Sequence, residues 1–161
     1  MDVNEELKGI YRTVNNSDVP LAPMLDGLRG ENILPFLEFL ELEPEEKASY
    51  FLSELVKYFP VCINLLKRFN SSENRRVRFW SGVGLLNSEN DRGVGLSALE
   101  KIAIDQFAYS HQEIPLTDIL DILSEDGKRD ARDLVIKILQ TAELHLAKEK
   151  VINLRKMFQH D

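Results

Sequence analysis

The chain has 161 residues and a formal net charge of −7 at pH 7, from 20 basic and 27 acidic side chains. Hydrophobic residues make up 43% and charged residues 29%, a balance typical of one globular domain and unlike that of a disordered or membrane-embedded chain. This length and composition predict one domain over residues 1–161. Because the first residues are acidic and no apolar run reaches about 18 residues, we expect a cytoplasmic protein that does not contact membranes.

Apolar residues recur at helical spacing along nearly the whole chain, which predicts an all-α fold. Five segments of the first half carry the pattern, at residues 3–14, 24–28, 32–42, 44–59 and 61–69. Asn32 is the expected cap of the third segment, because its side-chain oxygen can accept a hydrogen bond from a free amide of the first turn. Pro44 fits the first turn of the fourth, where its missing N–H costs nothing.

In the second half of the chain, the same spacing predicts helices over residues 75–86 and 96–110. A further helix is expected to have Thr117 as its N-cap and to end at residues 124–127, and a last helical segment covers residues 128–158. The last segment would be about 45 Å long if it were straight, so we expect it to bend or break near residues 141–145. Together these segments predict a compact bundle of about seven to nine helices.

Polar corners followed by an arginine and then by small and aliphatic residues recur in the middle of the chain. Asn74-Arg75-Arg76-Val77-Arg78 leads into Gly82, Leu85 and Leu86, and Asp91-Arg92 leads into Ala98, Leu99 and Ile102. Over roughly residues 72–140, this pattern resembles the second helix of HEAT and armadillo-type repeats. The resemblance implies a short HEAT-like stack of helix pairs that serves as a protein-binding surface. A plain helical bundle is the alternative.

The sequence lacks the motifs of common catalytic and cofactor sites. It has no Gly-x-x-x-x-Gly-Lys-Ser/Thr loop and no Gly-x-Ser-x-Gly elbow, and the Gly-Val-Gly sequences at 82–84 and 93–95 lack the rest of a dinucleotide-binding motif. Their glycines are expected to allow close helix contact or turns. We therefore expect a non-enzymatic protein with no catalytic residue and no cofactor.

Cysteine and histidine residues are too few and too scattered to predict a metal site. Cys62 lies between apolar neighbours, where burial would raise the pKa of the thiol and leave it an inert core group. His145 and Glu149 are one helical turn apart, which is typical of a surface ion pair. No metal is expected.

Charge is unevenly distributed along the chain. Residues 1–66 carry 5 basic and 12 acidic side chains, and residues 93–161 carry 9 basic and 12 acidic ones. Residues 67–92, in contrast, carry 6 basic and 3 acidic side chains. Two candidate binding surfaces follow from this distribution. The acidic run consists of Glu41, Glu43, Glu45 and Glu46, and the basic segment spans residues 67–78 with Arg68, Arg75, Arg76 and Arg78, followed by Trp80.

The basic segment has two interpretations. Trp and Arg are enriched in the hot spots of protein interfaces, so the segment can be a binding surface. Alternatively, Arg75, Arg76 and Arg78 pair with the acidic first half of the chain, and Trp80 belongs to the core.

These features favour a non-enzymatic protein-protein interaction module. We expect an adaptor or an inhibitor of the immunity type, whose acidic surface attracts a basic protein by electrostatic steering. One alternative is a nucleic-acid-associated protein that uses residues 67–78, which the negative net charge disfavours. Another is an enzyme with no recognisable motif.

Overall fold

The computed structural model describes residues 2–16, 20–30, 32–108 and 114–159, and over these residues the chain forms helices and no strand. The all-α prediction is therefore confirmed. The described residues contain ten α-helices and one short 3₁₀-helix, and two of the α-helices have seven residues or fewer. The chain divides into two compact units, Met1–Arg92 and Gly93–Asp161. The prediction of a single domain over residues 1–161 stays a prediction.

The first unit contains α1 (Val3–Asn16), α2 (Leu21–Leu25), α3 (Leu34–Glu41), α4 (Glu45–Leu55), a 3₁₀-helix (Pro60–Cys62), α5 (Ile63–Phe69) and α6 (Arg75–Leu85). Their apolar faces share one core. Aromatic rings lie at its centre, since Tyr11 packs edge-on against Phe51 and Phe36 packs against the same ring, at centroid distances of 5.4 and 5.5 Å.

The second unit contains α7 (Arg92–Ala108), which begins at the last residue of the first unit, and α8 (Leu116–Asp126), α9 (Arg129–His145) and α10 (Lys148–Phe158). Helices α8, α9 and α10 pack against one another through buried Leu, Ile and Val side chains. No described helix of either unit is long and apolar enough to cross a membrane.

Three helix boundaries depend on backbone chemistry. Helix α4 ends at Leu55 and not at Phe59. Phe59 itself is extended, at φ −134° and ψ 91°, because the residue before a proline avoids the helical region. Thr117 lies inside α8, so its predicted role as N-cap is wrong; Pro115, with φ −58° and ψ 138°, occupies that position. The expected break in the last segment is confirmed, and it falls at Leu146, with φ −107° and ψ 157°.

Two asparagines satisfy the free amides at the start of α3. Asn32 accepts a hydrogen bond from the Leu34 N–H at 3.0 Å, which agrees with its predicted role, although Ile33 occupies the N-cap position. Asn4, which is buried on α1, accepts from the Phe36 N–H at 3.0 Å and donates from Nδ2 to the Asn32 carbonyl at 2.9 Å. A buried polar side chain therefore connects α1 to α3.

Candidate interaction surface

Helices α4 and α6 lie side by side and run in the same direction, with α5 between them in the chain. Three contacts join successive turns of the two helices: Glu46 with Arg76, Tyr50 with Trp80, and Ser53 with Gly84. The first turn of one helix thus meets the first turn of the other, and the last meets the last. We call this line of contact the α4–α6 seam.

Small buried residues allow the two helices of the seam to approach closely. A Cβ atom on Gly84 would lie 2.7 Å from Leu66 Cδ1 and 3.2 Å from Ser53 Cα, distances that real side chains do not tolerate without movement. The buried Ser81 hydroxyl donates to the Leu66 carbonyl, so its polar group is satisfied inside the core. The predicted role of Gly84 in close helix contact is confirmed. Gly93, in contrast, has open space where a Cβ atom would lie.

The acidic run and the basic segment meet at the N-terminal end of α4. Arg68 Nη1 lies 2.8 Å from Glu41 Oε1, and Arg76 Nη1 lies 3.3 Å from Glu46 Oε1. The Ser72 hydroxyl donates to the Glu45 carboxylate at 2.9 Å. The four ion-paired side chains are between 42% and 68% exposed. Residues that the sequence presents as two separate surfaces thus form one mixed-charge surface.

The other charged residues of the two candidate surfaces have different surroundings. Arg78 donates to the carbonyl oxygens of Ser72 and Glu73 at 3.0 and 3.5 Å, which holds the turn before α6. Arg75 is half-buried and forms no ion pair with a described residue. Glu43 is half-buried near Tyr11, whose pKa is raised by burial and further by this carboxylate. Among the described residues, the pairing expected of the three arginines of α6 is therefore made by Arg76 alone.

Trp80 lies between core and surface. It is half-buried, packs edge-on against Tyr50 at 4.7 Å between ring centroids, and contacts Phe79 at 4.9 Å. Tyr50 is half-buried as well. The two rings therefore leave part of their area at the surface, one helical turn beyond the Glu46–Arg76 ion pair.

Sequence reasoning missed a polar cluster at the junction of α6 and α7. Lys67 Nζ lies 2.8 Å from Asp91 Oδ1, and the Ser88 hydroxyl donates to the same carboxylate at 2.9 Å. These two contacts hold the pKa of Asp91 below its usual range, and the contact with Lys67 has the larger effect. Arg92 is buried and donates to the Leu86 carbonyl at 3.0 Å. The only signal in the sequence was the polar corner at residues 91–92.

The expectations for Cys62 and His145 have different outcomes. Cys62 is fully buried, which confirms its expected position in the core, and this burial raises its pKa to about 12. The expected spacing of His145 and Glu149 on one helix is wrong, because α9 ends at His145 and Glu149 belongs to α10. The His145 ring instead stacks on Phe107 at 5.7 Å. Within the described part of the chain, no group of three or more His, Cys, Asp or Glu side chains could hold a metal ion.

Comparison with protein family models, with curated proteins and with solved structures finds no match to the chain. The resemblance to HEAT and armadillo-type repeats therefore stays a prediction. The evidence that bears on function is the geometry of the α4–α6 seam and of the charged side chains at its N-terminal end.

Proposed function

We propose that this chain is a non-enzymatic protein-protein interaction module and that the α4–α6 seam binds the partner. The observation that carries the proposal is the half-buried Tyr50–Trp80 pair, one turn from the exposed Glu46–Arg76 ion pair. Tyr, Trp and Arg are the residue types that contribute most energy at protein interfaces. Apolar ring area beside directional charges is chemistry that another protein surface can complement.

Several contacts hold this surface in place before a partner arrives. The side chain of Asn74 accepts from the Arg76 N–H at 2.9 Å and so caps α6. Close packing at Gly84 keeps α4 and α6 together, and the Tyr50 and Trp80 rings restrict each other. A preorganised surface loses less conformational entropy on binding, which favours affinity.

The charge of the chain favours a basic partner. Residues 1–92 carry 15 acidic and 11 basic side chains, and the whole chain has a net charge of −7. The overall field therefore attracts a basic protein and speeds its association. Glu41 and Glu46 are already paired with arginines, which reduces their attraction for a basic partner. In this proposal, the acidic run therefore orients the bound partner more than it attracts it. An adaptor and an inhibitor of the immunity type are both consistent with this chemistry.

The alternative of nucleic-acid binding depends on the basic segment. Lys67, Arg68 and Arg76 each lie within 3.3 Å of a carboxylate oxygen. A phosphate group at this surface would meet the negative charge of these carboxylates, which weakens binding to a polyanion. The other alternative is an enzyme with no recognisable motif, and no contact among the described residues specifically supports it.

A charge exchange across the seam tests the proposed function. In the double variant Glu46→Arg with Arg76→Glu, the two charges exchange places and can still pair, so we expect the fold to be kept. A partner then meets a positive charge where α4 carried a negative one, and a negative charge where α6 carried a positive one. The matched control exchanges Glu100 and Lys137, an ion pair of the second unit. Proteins captured by the wild-type chain from its native source are then titrated against each variant by calorimetry.

We expect a captured protein that binds the wild-type chain and the control alike, and the Glu46–Arg76 exchange at least tenfold more weakly. Equal binding by a folded Glu46–Arg76 exchange contradicts the proposed surface. Retention of nucleic acid with a steep salt dependence, in place of a protein, supports the nucleic-acid alternative.

A further inference from the structure

The second unit contains a cavity of about 330 Å³ between the end of α7, the start of α8 and one side of α10. Six of the residues that line it are apolar: Phe107, Pro115, Leu116, Leu146, Leu154 and Met157. Lys150 and Asn153, both exposed on α10, lie at the boundary between this apolar lining and solvent. The cavity thus has an apolar interior and a polar mouth, the general make-up of a small-molecule site.

The walls of the cavity are held by contacts within the second unit. Gln106, which is 8% exposed, donates from Nε2 to the Ile114 carbonyl at 2.6 Å and so positions the start of α8. The ring of Phe107 stacks on His145 with an angle of 8° between the ring planes. The amide nitrogen of Gln106 is engaged by the Ile114 carbonyl, and the other polar side chains of the lining are the half-buried Thr117 and, at the mouth, Lys150 and Asn153.

Lys150 and Asn153 are three residues apart on α10, which places them on the same side of the helix. Neither side chain forms a hydrogen bond or an ion pair with a described residue. An ammonium group and an amide N–H side by side are donors for a carboxylate, and the bond from the ammonium group is strengthened by charge.

We propose that this cavity binds an unbranched apolar monocarboxylate of about ten carbons, such as a medium-chain fatty acid. Its hydrocarbon chain lies among the leucines and Met157, and its carboxylate lies between Lys150 and Asn153. A cavity of about 330 Å³ lies at the lower end of the volumes found for small-molecule sites, which favours a short hydrocarbon chain over a long one. This site is separate from the α4–α6 seam, so either assignment can fail without the other.

The test titrates the full-length chain with decanoate, at concentrations where decanoate is monomeric, and follows heat and amide chemical shifts. Decyltrimethylammonium is the matched probe, with the same hydrocarbon chain and the opposite charge. Lys150→Gln removes the cation, and Asn153→Trp places bulk at the mouth from an exposed position. Lys148→Gln is the control, because Lys148 is exposed on the same helix and does not line the cavity.

We expect decanoate to bind and to shift the amides of Leu146, Lys150 and Leu154. Lys150→Gln should weaken binding about two- to fivefold, as expected for one solvent-exposed charge pair, and Lys148→Gln should leave it unchanged. Asn153→Trp should weaken it at least tenfold, and decyltrimethylammonium should bind more weakly than decanoate. The proposal is overturned if decanoate does not bind, if folded Lys150→Gln binds it as the wild type does, or if both probes bind equally.

Discussion

Trp80 of α6 packs edge-on against Tyr50 of α4, with ring centroids 4.7 Å apart and ring planes at 76°. In this arrangement, the positive edge of one ring faces the negative surface of the other, which is a favoured geometry for aromatic pairs. Each ring follows one member of the Glu46–Arg76 ion pair by four residues. Two parallel helices are therefore joined on successive turns by a charge pair and by an aromatic pair.

The first prediction concerns this aromatic pair. In a double-mutant cycle with Tyr50→Leu and Trp80→Leu, we expect a coupling energy of about 0.5–1.5 kcal/mol in the free energy of unfolding, because both changes remove the same edge-to-face contact. Urea denaturation followed by circular dichroism measures all four chains, including those without tryptophan. Strictly additive effects would show that the two rings do not stabilise each other.

The second prediction concerns close approach at the seam. Gly84→Ala gains about 1 kcal/mol of helix propensity, but its new methyl group meets Leu66 and the Ser53 backbone, and overpacking costs about 1–3 kcal/mol. We expect a net loss of up to about 2 kcal/mol of stability. Gly93→Ala, with open space around its Cβ position, should be neutral or stabilising by up to about 1 kcal/mol. Thermal denaturation of both variants tests the contrast, and equal shifts in Tm would contradict it.

The third prediction concerns the buried asparagine that connects α1 to α3. Asn4→Ala leaves the Phe36 N–H and the Asn32 carbonyl without this partner, and we expect a loss of about 1–3 kcal/mol. Asn32→Ala removes an exposed cap and should cost less, about 0.5–1 kcal/mol. Denaturant midpoints rank the two variants. A larger effect of Asn32→Ala would mean that the cap contributes more than the buried bridge.

The fourth prediction concerns pH. The pKa of Cys62 is about 12 in the folded chain, whereas an unfolded thiol has a pKa of about 8.5. Stability from this difference is fully present below about pH 8.5 and is lost as the pH rises toward 12, because only the unfolded thiol ionises in that range. Relative to Cys62→Ala, the wild-type chain should therefore lose about 2 kcal/mol of unfolding free energy between pH 7 and pH 10.

Denaturation of both chains at several pH values, with reductant present, isolates the thiol because lysines and tyrosines titrate in both. A constant difference in unfolding free energy across this range would show that Cys62 is not desolvated in the folded chain.

The candidate site could be predicted from the sequence as a set of residue types but not as an arrangement. Arginines beside the only tryptophan identified the basic segment, and four glutamates identified the acidic run. The ion pair between Glu46 and Arg76 spans 30 residues, and that between Glu41 and Arg68 spans 27. Local spacing carries no information on such pairs, because they depend on which helix faces are brought together.

The sequence by itself determined the all-α fold, the interruption at Pro60 and the burial of Cys62. Helical periodicity, the missing N–H of proline and the hydrophobicity of neighbouring residues act within a few positions of the chain. Only the tertiary structure decided that Asn4 would satisfy an amide of α3, that Gly84 would lie against Leu66, and that Trp80 would meet Tyr50 at the surface. These contacts form only when helices distant in the sequence pack together, and the space and partners at each position are set by that packing.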